Sequence, residues 1–298
     1  MREKYIEKKF GANAQAMILI INKILAEYAA EGYDLSLRQL YYQLVSRNVV
    51  ENTERSYKNV GNVVSEGRLA GLIDWDIIKD RGREMIQNPH WTSPADILNT
   101  AATQYRIDRW DTQPRYVEVM VEKQALEGVL IPVCSEWDVP FTANKGYSSS
   151  SAMHEAGKRI YKRLREEKEV TIIYLGDHDP SGIDMTRDVE ERLRLFAECH
   201  PDDTITVDVI RVALNMSQVQ EMKPPENPAK MTDSRAAEYV RQFGKSSWEL
   251  DAIEPKRLAK LVSNAIAKLV DKKSWKQSET EQQSGRDYIA KMARDYKP

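Results

Sequence analysis

The chain has 298 residues, 41% of them hydrophobic, enough for a sizeable core and a length that suggests two domains or one large domain with an appendage. Its two cysteines, Cys134 and Cys199, lie far apart without a CxxC or a histidine at zinc-ligand spacing, which argues against a disulfide framework or a structural zinc. A net charge of −2 excludes a bulk-basic polyanion binder, and a charged start with no apolar run of about 18 residues predicts a cytoplasmic protein without a membrane span.

Along the chain, apolar residues at helical spacing from Gln15 to Ala30 (Met17, Ile20, Ile21, Ile24, Leu25, Tyr28) predict a helix that stops before Gly32. Ser36 caps a second helix, Leu37 to Ser46, and a third runs from about Thr53 toward Leu69. Leu72 to Ile78 alternates like a strand, and the flanking residues 79–83 read as a turn. Three helices followed by a strand pair is the pattern of a winged helix, assigned to residues 1–90, with 91–113 as linker and helix. Beyond Pro114, strand-like and helix-like segments alternate: a strand at Tyr116 to Val121, a helix at Lys123 to Leu130, a strand ahead of Thr142, a helix at Ser150 to Glu166, a strand at Val170 to Leu175, a helix at Asp184 to Phe196 and a strand within Thr204 to Leu214. This predicts an α/β domain with a mostly parallel, Rossmann-like sheet over 114–270. Pro255 to Val270 reads as helix, and the polar stretch from Lys272 within the 271–298 tail reads as loose.

Two strands end in acidic residues. Val117 to Val121 runs into Glu122-Lys123, and Val170 to Leu175 runs into Gly176-Asp177-His178-Asp179-Pro180-Ser181-Gly182. Open α/β sheets bind ligands at the carboxyl ends of their strands. Three carboxylates gathered there form an all-oxygen set suited to Mg²⁺ or Mn²⁺, which prefer carboxylate and water and bridge to phosphate oxygens. An isolated Asp-x-Asp is more often a solvated turn; the preceding strand, the Pro-x-Gly after it and the Glu-Lys at the other strand end favour the metal. His178, between the aspartates, points away from them if the segment is extended.

These motifs, with Asn144-Lys145-Gly146-Tyr147-Ser148 between them, resemble in order and spacing the Toprim domain of the topoisomerase VI A subunit and its meiotic double-strand-break relatives. The resemblance covers most of residues 13 to 255 and is nearest to the small stand-alone Mini-A forms. It implies that Glu122, Asp177 and Asp179 bind magnesium. The family carries an Arg-x-x-Tyr-Tyr type motif on a winged-helix domain upstream, and this sequence has Arg38-Gln39-Leu40-Tyr41-Tyr42. The resemblance then makes Tyr42 a nucleophile that joins the 5′ end of a cut strand of double-stranded DNA, with Arg38 assisting and Glu122 able to donate or accept a proton. It further implies a homodimer in which tyrosine and metal site come from different subunits, and a separate GHKL-type ATPase partner if strands are passed. Taken alone, a Tyr pair in a helix is usually core, and the same metal site with a water nucleophile is a hydrolytic nuclease; a DNA-binding protein using the fold as scaffold is a third reading. Arg55, Lys58 and Arg68 on the third helix, Lys79, Arg81 and Arg83 on the next turn, and Lys123 and Lys145 are the candidate DNA contacts, although interspersed acids also fit an ordinary solvated face. Ser247-Trp248-Glu249-Leu250-Asp251-Ala252 resembles a C-terminal Glu-Leu-Glu-Ala segment of the family, and Glu249, Asp251 and Lys230 are candidates to approach the acidic site.

Overall fold

A computed structural model describes residues 2–79, 88–144, 148–200 and 202–296. The N-terminal layer is helical: α1 (Ala12–Ala30), α2 (Leu37–Ser46) and α3 (Glu54–Leu69). Ser36 caps α2 with a complete capping box, its hydroxyl accepting from Gln39 N while the Gln39 side chain accepts from Ser36 N, and Thr53 caps α3. Ile21, Ile24 and Leu25 of α1, Leu40 and Leu44 of α2, and Val60 and Val64 of α3 close one apolar cluster.

The strand expected at Leu72 to Ile78 does not form. These residues are turns and bends, and Leu35 makes only an isolated bridge to Ile78. Ile73 and Ile78, five residues apart, plug the helical cluster, and no ladder pairs the stretch. Among the described residues the N-terminal layer therefore lacks the strand pair of a winged helix, and residues 80–87, including Arg81 and Arg83, lie outside them.

After α4 (Pro94–Gln104) the chain builds the sheet from β1 (Arg115–Val121), β2 (Phe141–Ala143), β3 (Glu169–Leu175) and β4 (Val207–Ala213), in the order β2-β1-β3-β4 with every pair parallel. The connecting helices α5 (Glu127–Glu136), α6 (Ser150–Arg165) and α7 (Pro180–Phe196) cover both faces, as the near-continuous burial of β1 and β3 requires. α6 and α7 pack on the face carrying Tyr116, Met120, Ile172 and Tyr174, and α5 on the face carrying Val117, Val119, Val121 and Ile173. Further on come α8 (Met216–Met222), a two-residue pair β5 (Asn227–Pro228) with β6 (Ser246–Ser247), α9 (Ala236–Phe243) and α10 (Pro255–Ala267). This is the α/β, parallel-sheet architecture expected beyond Pro114 and is compatible with a Rossmann-like domain.

The C-terminal stretch corrects a second expectation. Lys272–Asp295 is a 24-residue helix, α11, packed along α4. Its buried stripe is Trp275, Ser278, Gln282 and Ala293, half of them polar, so the hydrophobic periodicity is weak even though the geometry is amphipathic. Gln282 accepts from Ile107 N at 3.3 Å, Ser278 meets Thr112 at 3.2 Å, and Trp275 stacks edge-on against Trp110 at 5.6 Å. Among the described residues no helix is long and apolar enough to cross a membrane.

Candidate metal and phosphate centre

Glu122 and Asp177 follow β1 and β3, neighbouring strands whose ladder continues as Glu122 N donates to Leu175 O at 2.9 Å. Asp177 N in turn donates to Glu122 Oε2 at 2.8 Å, so the first carboxylate holds the backbone of the second. Asp179 caps α7, accepting from Gly182 N at 2.6 Å and Ser181 Oγ at 2.9 Å. Glycine is sterically required at 182, and Gly176 is tightly enclosed. A Cβ on Gly182 would stand 2.3 Å from Asp177 O, and one on Gly176 would stand 2.9 Å from Glu122 Oε2.

Beneath this turn lies Arg211 of β4, which sequence reading left without a role. Its guanidinium donates to the carbonyls of Gly176 (2.9 Å), Asp177 (2.5 Å), Gly182 (3.0 Å) and Leu214 (3.2 Å), and to Thr186 Oγ1 at 2.6 Å. The only signal was an arginine inside an otherwise apolar strand end.

His178 turns away from the carboxylates, as an extended segment requires. Its ring is enclosed by Tyr239, Phe243 and Trp248, with Nδ1 2.8 Å from the Tyr239 hydroxyl, and burial lowers its pKa to about 4, so it stays neutral. Its backbone exchanges hydrogen bonds with Trp248 (2.8 and 2.9 Å), and Leu250 N donates to Asp177 Oδ1 at 2.8 Å. These bonds carry Glu249 and Asp251 into the centre. Lys123 Nζ then meets Asp177 Oδ2 at 2.8 Å, Glu249 Oε2 at 2.9 Å and Asp251 Oδ1 at 3.7 Å. Lys230 remains exposed.

Arg38 of α2 pairs with the same Glu249 carboxylate and reaches Asp251 Oδ2 at 3.4 Å. Tyr41 and Tyr42 are both buried. The Tyr41 hydroxyl serves structure, sitting 3.1 Å from Thr53 O and from Asn52 Oδ1. Tyr42 instead interacts with Arg38, Asn227 and Glu249. Burial, with the nearby Glu249 charge, raises its pKa, and Asn227 and Arg38 oppose that rise.

Of the candidate DNA contacts, Arg55, Lys58 and Lys79 are exposed, with Lys58 paired to Glu54 at 2.7 Å. Arg68 is engaged internally, donating to the carbonyls of Trp75 (3.0 Å) and Ile78 (2.5 Å) with its guanidinium over the Trp75 ring. Lys145, Gly146 and Tyr147 lie outside the described residues.

Burial disfavours the charged form of three of the carboxyls. Burial pushes the Asp177 carboxyl well above the usual range, against Lys123, and raises Glu122 against the Asp177 amide. Burial likewise raises Asp251, whose two oxygens lack hydrogen-bond partners. Among the described residues no three His, Cys, Asp or Glu side chains encircle a common point at metal-ligand geometry. Glu122 Oε1 and Asp179 Oδ2 receive no hydrogen bond from the described residues. Two such carboxylate oxygens are ligands of the kind Mg²⁺ takes, because it keeps most of its waters and needs only one or two carboxylates.

Fold and centre together define an α/β protein with a buried carboxylate cluster at the carboxyl edge of a parallel sheet, joined by ion pairs to a tyrosine-bearing helix. No family model matches the chain, and no curated protein matches it.

Proposed function

We propose that this chain is a Mg²⁺-dependent transesterase that cuts double-stranded DNA, with Tyr42 as nucleophile and a homodimer making the two cuts. The observation that carries the reading is the unbroken series Tyr42, Arg38, Glu249, Lys123, Asp177, Glu122, which ties a phenol to a carboxylate cluster by direct contacts. In the proposed step the Tyr42 oxygen bonds to phosphorus, the bond to the 3′ oxygen breaks, and the phenolic proton passes to a base while the departing oxygen gains one. Arg38 stabilises the developing phenolate and the phosphoryl charge, and Lys123 adds a second cation. When bound, Mg²⁺ would be held by Glu122 and Asp179 with Asp177 behind them, supplying charge neutralisation at the phosphoryl group and the leaving oxygen. A partner ATPase of the GHKL type is needed only if the cut DNA is used for strand passage.

The test is cleavage of supercoiled plasmid with Mg²⁺ by wild type, Tyr42→Phe and Glu122→Ala, resolved with and without protease digestion. The expected result is protein-linked 5′ ends for wild type alone. The burial of Tyr42 favours one second reading, a hydrolytic nuclease using the same carboxylates with water as nucleophile. It requires that Tyr42→Phe still cuts and leaves no protein on the ends.

A further inference from the structure

Glu249 occupies the point on which two cations and a phenol converge. Its Oε2 accepts from Lys123 Nζ at 2.9 Å and also pairs with the Arg38 guanidinium, and the Tyr42 hydroxyl lies beside it. This is not a surface side chain that has folded back at random. The His178–Trp248 bridge fixes the backbone on one side of it, and the bond from Leu250 N to Asp177 Oδ1 at 2.8 Å fixes the other. Burial disfavours its charge, but Lys123 and Arg38 outweigh burial and hold its carboxyl below the usual range, so the occupant is an anion.

A guanidinium, an ammonium and a hydroxyl donating to one oxyanion form the donor set that binds a phosphate through charge-assisted hydrogen bonds. Access exists from solvent. Arg38 lines two cavities, one of about 520 Å³ walled by α2, α3 and the residues before Lys79, the other of about 240 Å³ shared with Tyr42 and Asn227. Asp251 sits just behind at 3.4 Å from Arg38 Nε and 3.7 Å from Lys123, so both cations keep a neighbouring carboxyl if Glu249 leaves.

We infer that Arg38, Lys123 and Tyr42 form a phosphate-binding subsite, and that Glu249 is its resident anion in the nucleic-acid-free chain, displaced when a phosphodiester enters. The identity of the ligand as a phosphodiester rests on the function proposed above; the subsite itself does not. A phosphate bound there competes with Glu249, so the free chain is held in a low-affinity state until a multivalent polyanion supplies enough contacts to displace it.

The experiment compares wild type, Glu249→Gln and Glu249→Ala by thermal midpoint in inorganic phosphate against chloride at matched ionic strength, without divalent metal. Phosphate should raise the midpoint of both variants by about 3 °C or more while barely moving wild type. Adding Arg38→Ala to Glu249→Gln should abolish the response. Binding of a short duplex in the same metal-free buffer should tighten roughly tenfold in Glu249→Gln, with no comparable gain in Glu54→Gln on the neighbouring helix. An equal phosphate response in wild type and variants, or one that survives loss of Arg38, overturns the inference. If the phosphate pattern holds but wild type never cuts DNA, the subsite stands and the transesterase reading fails; if wild type cuts and the phosphate response is uniform, the resident-anion role alone fails.

Discussion

At the carboxyl ends of β1 and β3 each carboxylate is tied to main chain: Glu122 to Asp177 N, Asp177 to Leu250 N, Asp179 to Gly182 N. On the α2 side, Tyr42, Arg38 and Glu249 meet only through side chains. The first arrangement fixes positions because these main-chain amides move only with the segments that carry them, the end of β3, α7 and the turn at Leu250–Ala252. The second fixes a balance of charge, which any incoming anion or cation shifts. A centre built this way has a rigid half that fixes where its groups stand and an adjustable half that responds to charge.

The largest expected effect breaks the rigid half. Glu122→Ala removes both an oxygen proposed to hold the metal and the acceptor for Asp177 N, and should lower plasmid cleavage by at least about 10³-fold, as loss of a preorganised charge-stabilising group does. Circular dichroism should show the fold retained, because a water can replace the one lost acceptor. Cleavage equal to wild type would move the chemistry elsewhere on the molecule. Tyr42→Phe acts on the adjustable half and should abolish the protein-linked product, leaving total cleavage down by about 10²-fold or more. Retained cleavage with free ends would instead make water the nucleophile and leave Tyr42 as packing beneath Arg38.

Two glycine substitutions measure the same contrast in stability. Gly182→Ala forces a methyl to 2.3 Å from Asp177 O, a backbone atom that cannot rotate aside, and should cost about 1–3 kcal/mol in a denaturant titration with metal affinity weakened alongside. On α3, Gly61→Ala meets only the Leu37 Cδ2 atom at 3.4 Å and should stabilise by about 0.5–1 kcal/mol through helix propensity. If both changes were neutral, the turn after β3 would be no tighter than an ordinary helix surface.

The difference between the halves also explains what the sequence shows. Strands β1 and β3, the cap on α2 and the acidic ends of the strands are written in local apolar runs and turn residues, so residues such as Ser36, Glu122 and Asp177 are legible without any tertiary knowledge. Arg211 was not, because its role consists of carbonyls brought to it by the crossover between β3 and β4. Glu249 and Asp251 were legible only as candidates, since the His178–Trp248 bridge that delivers them spans residues far apart in sequence. The stretch Leu72 to Ile78 misled because Ile73, Trp75 and Ile77 fall at the period of a strand, whereas the bend buries Ile73 and Ile78, five residues apart. The helix Lys272–Asp295 misled in the opposite direction, since it buries Ser278 and Gln282 through hydrogen bonds rather than apolar contact.

The smallest expected effect tests whether burial or Lys123 governs Asp177. Burial pushes the Asp177 carboxyl up to about 7, against the pull of Lys123 and the Leu250 amide. Because the folded value lies above the ordinary value of 3.8, the folded chain keeps a proton that the unfolded chain has lost, so stability falls as pH rises from about 4 toward 7 and then levels. His178 works oppositely: burial lowers it to about 4 from 6.5, so stability is lost as acid is added below 6.5. Between pH 6.5 and 8 the aspartate outweighs the fading histidine, and the metal-free wild type should lose no more than about 1 kcal/mol across it, a decline that Asp177→Asn removes. Below pH 6.5 the Asn variant should fall more steeply than wild type, because His178 then acts without its counterweight. Mg²⁺ should raise the wild-type melting midpoint more at pH 8 than at pH 6, since binding needs the ionised carboxylates, and this pH dependence should shrink in the Asn variant. A wild-type profile that stays flat from 6.5 to 8 would mean that Lys123 holds Asp177 ionised in the folded chain, making the ammonium a built-in counterion that a divalent cation must displace.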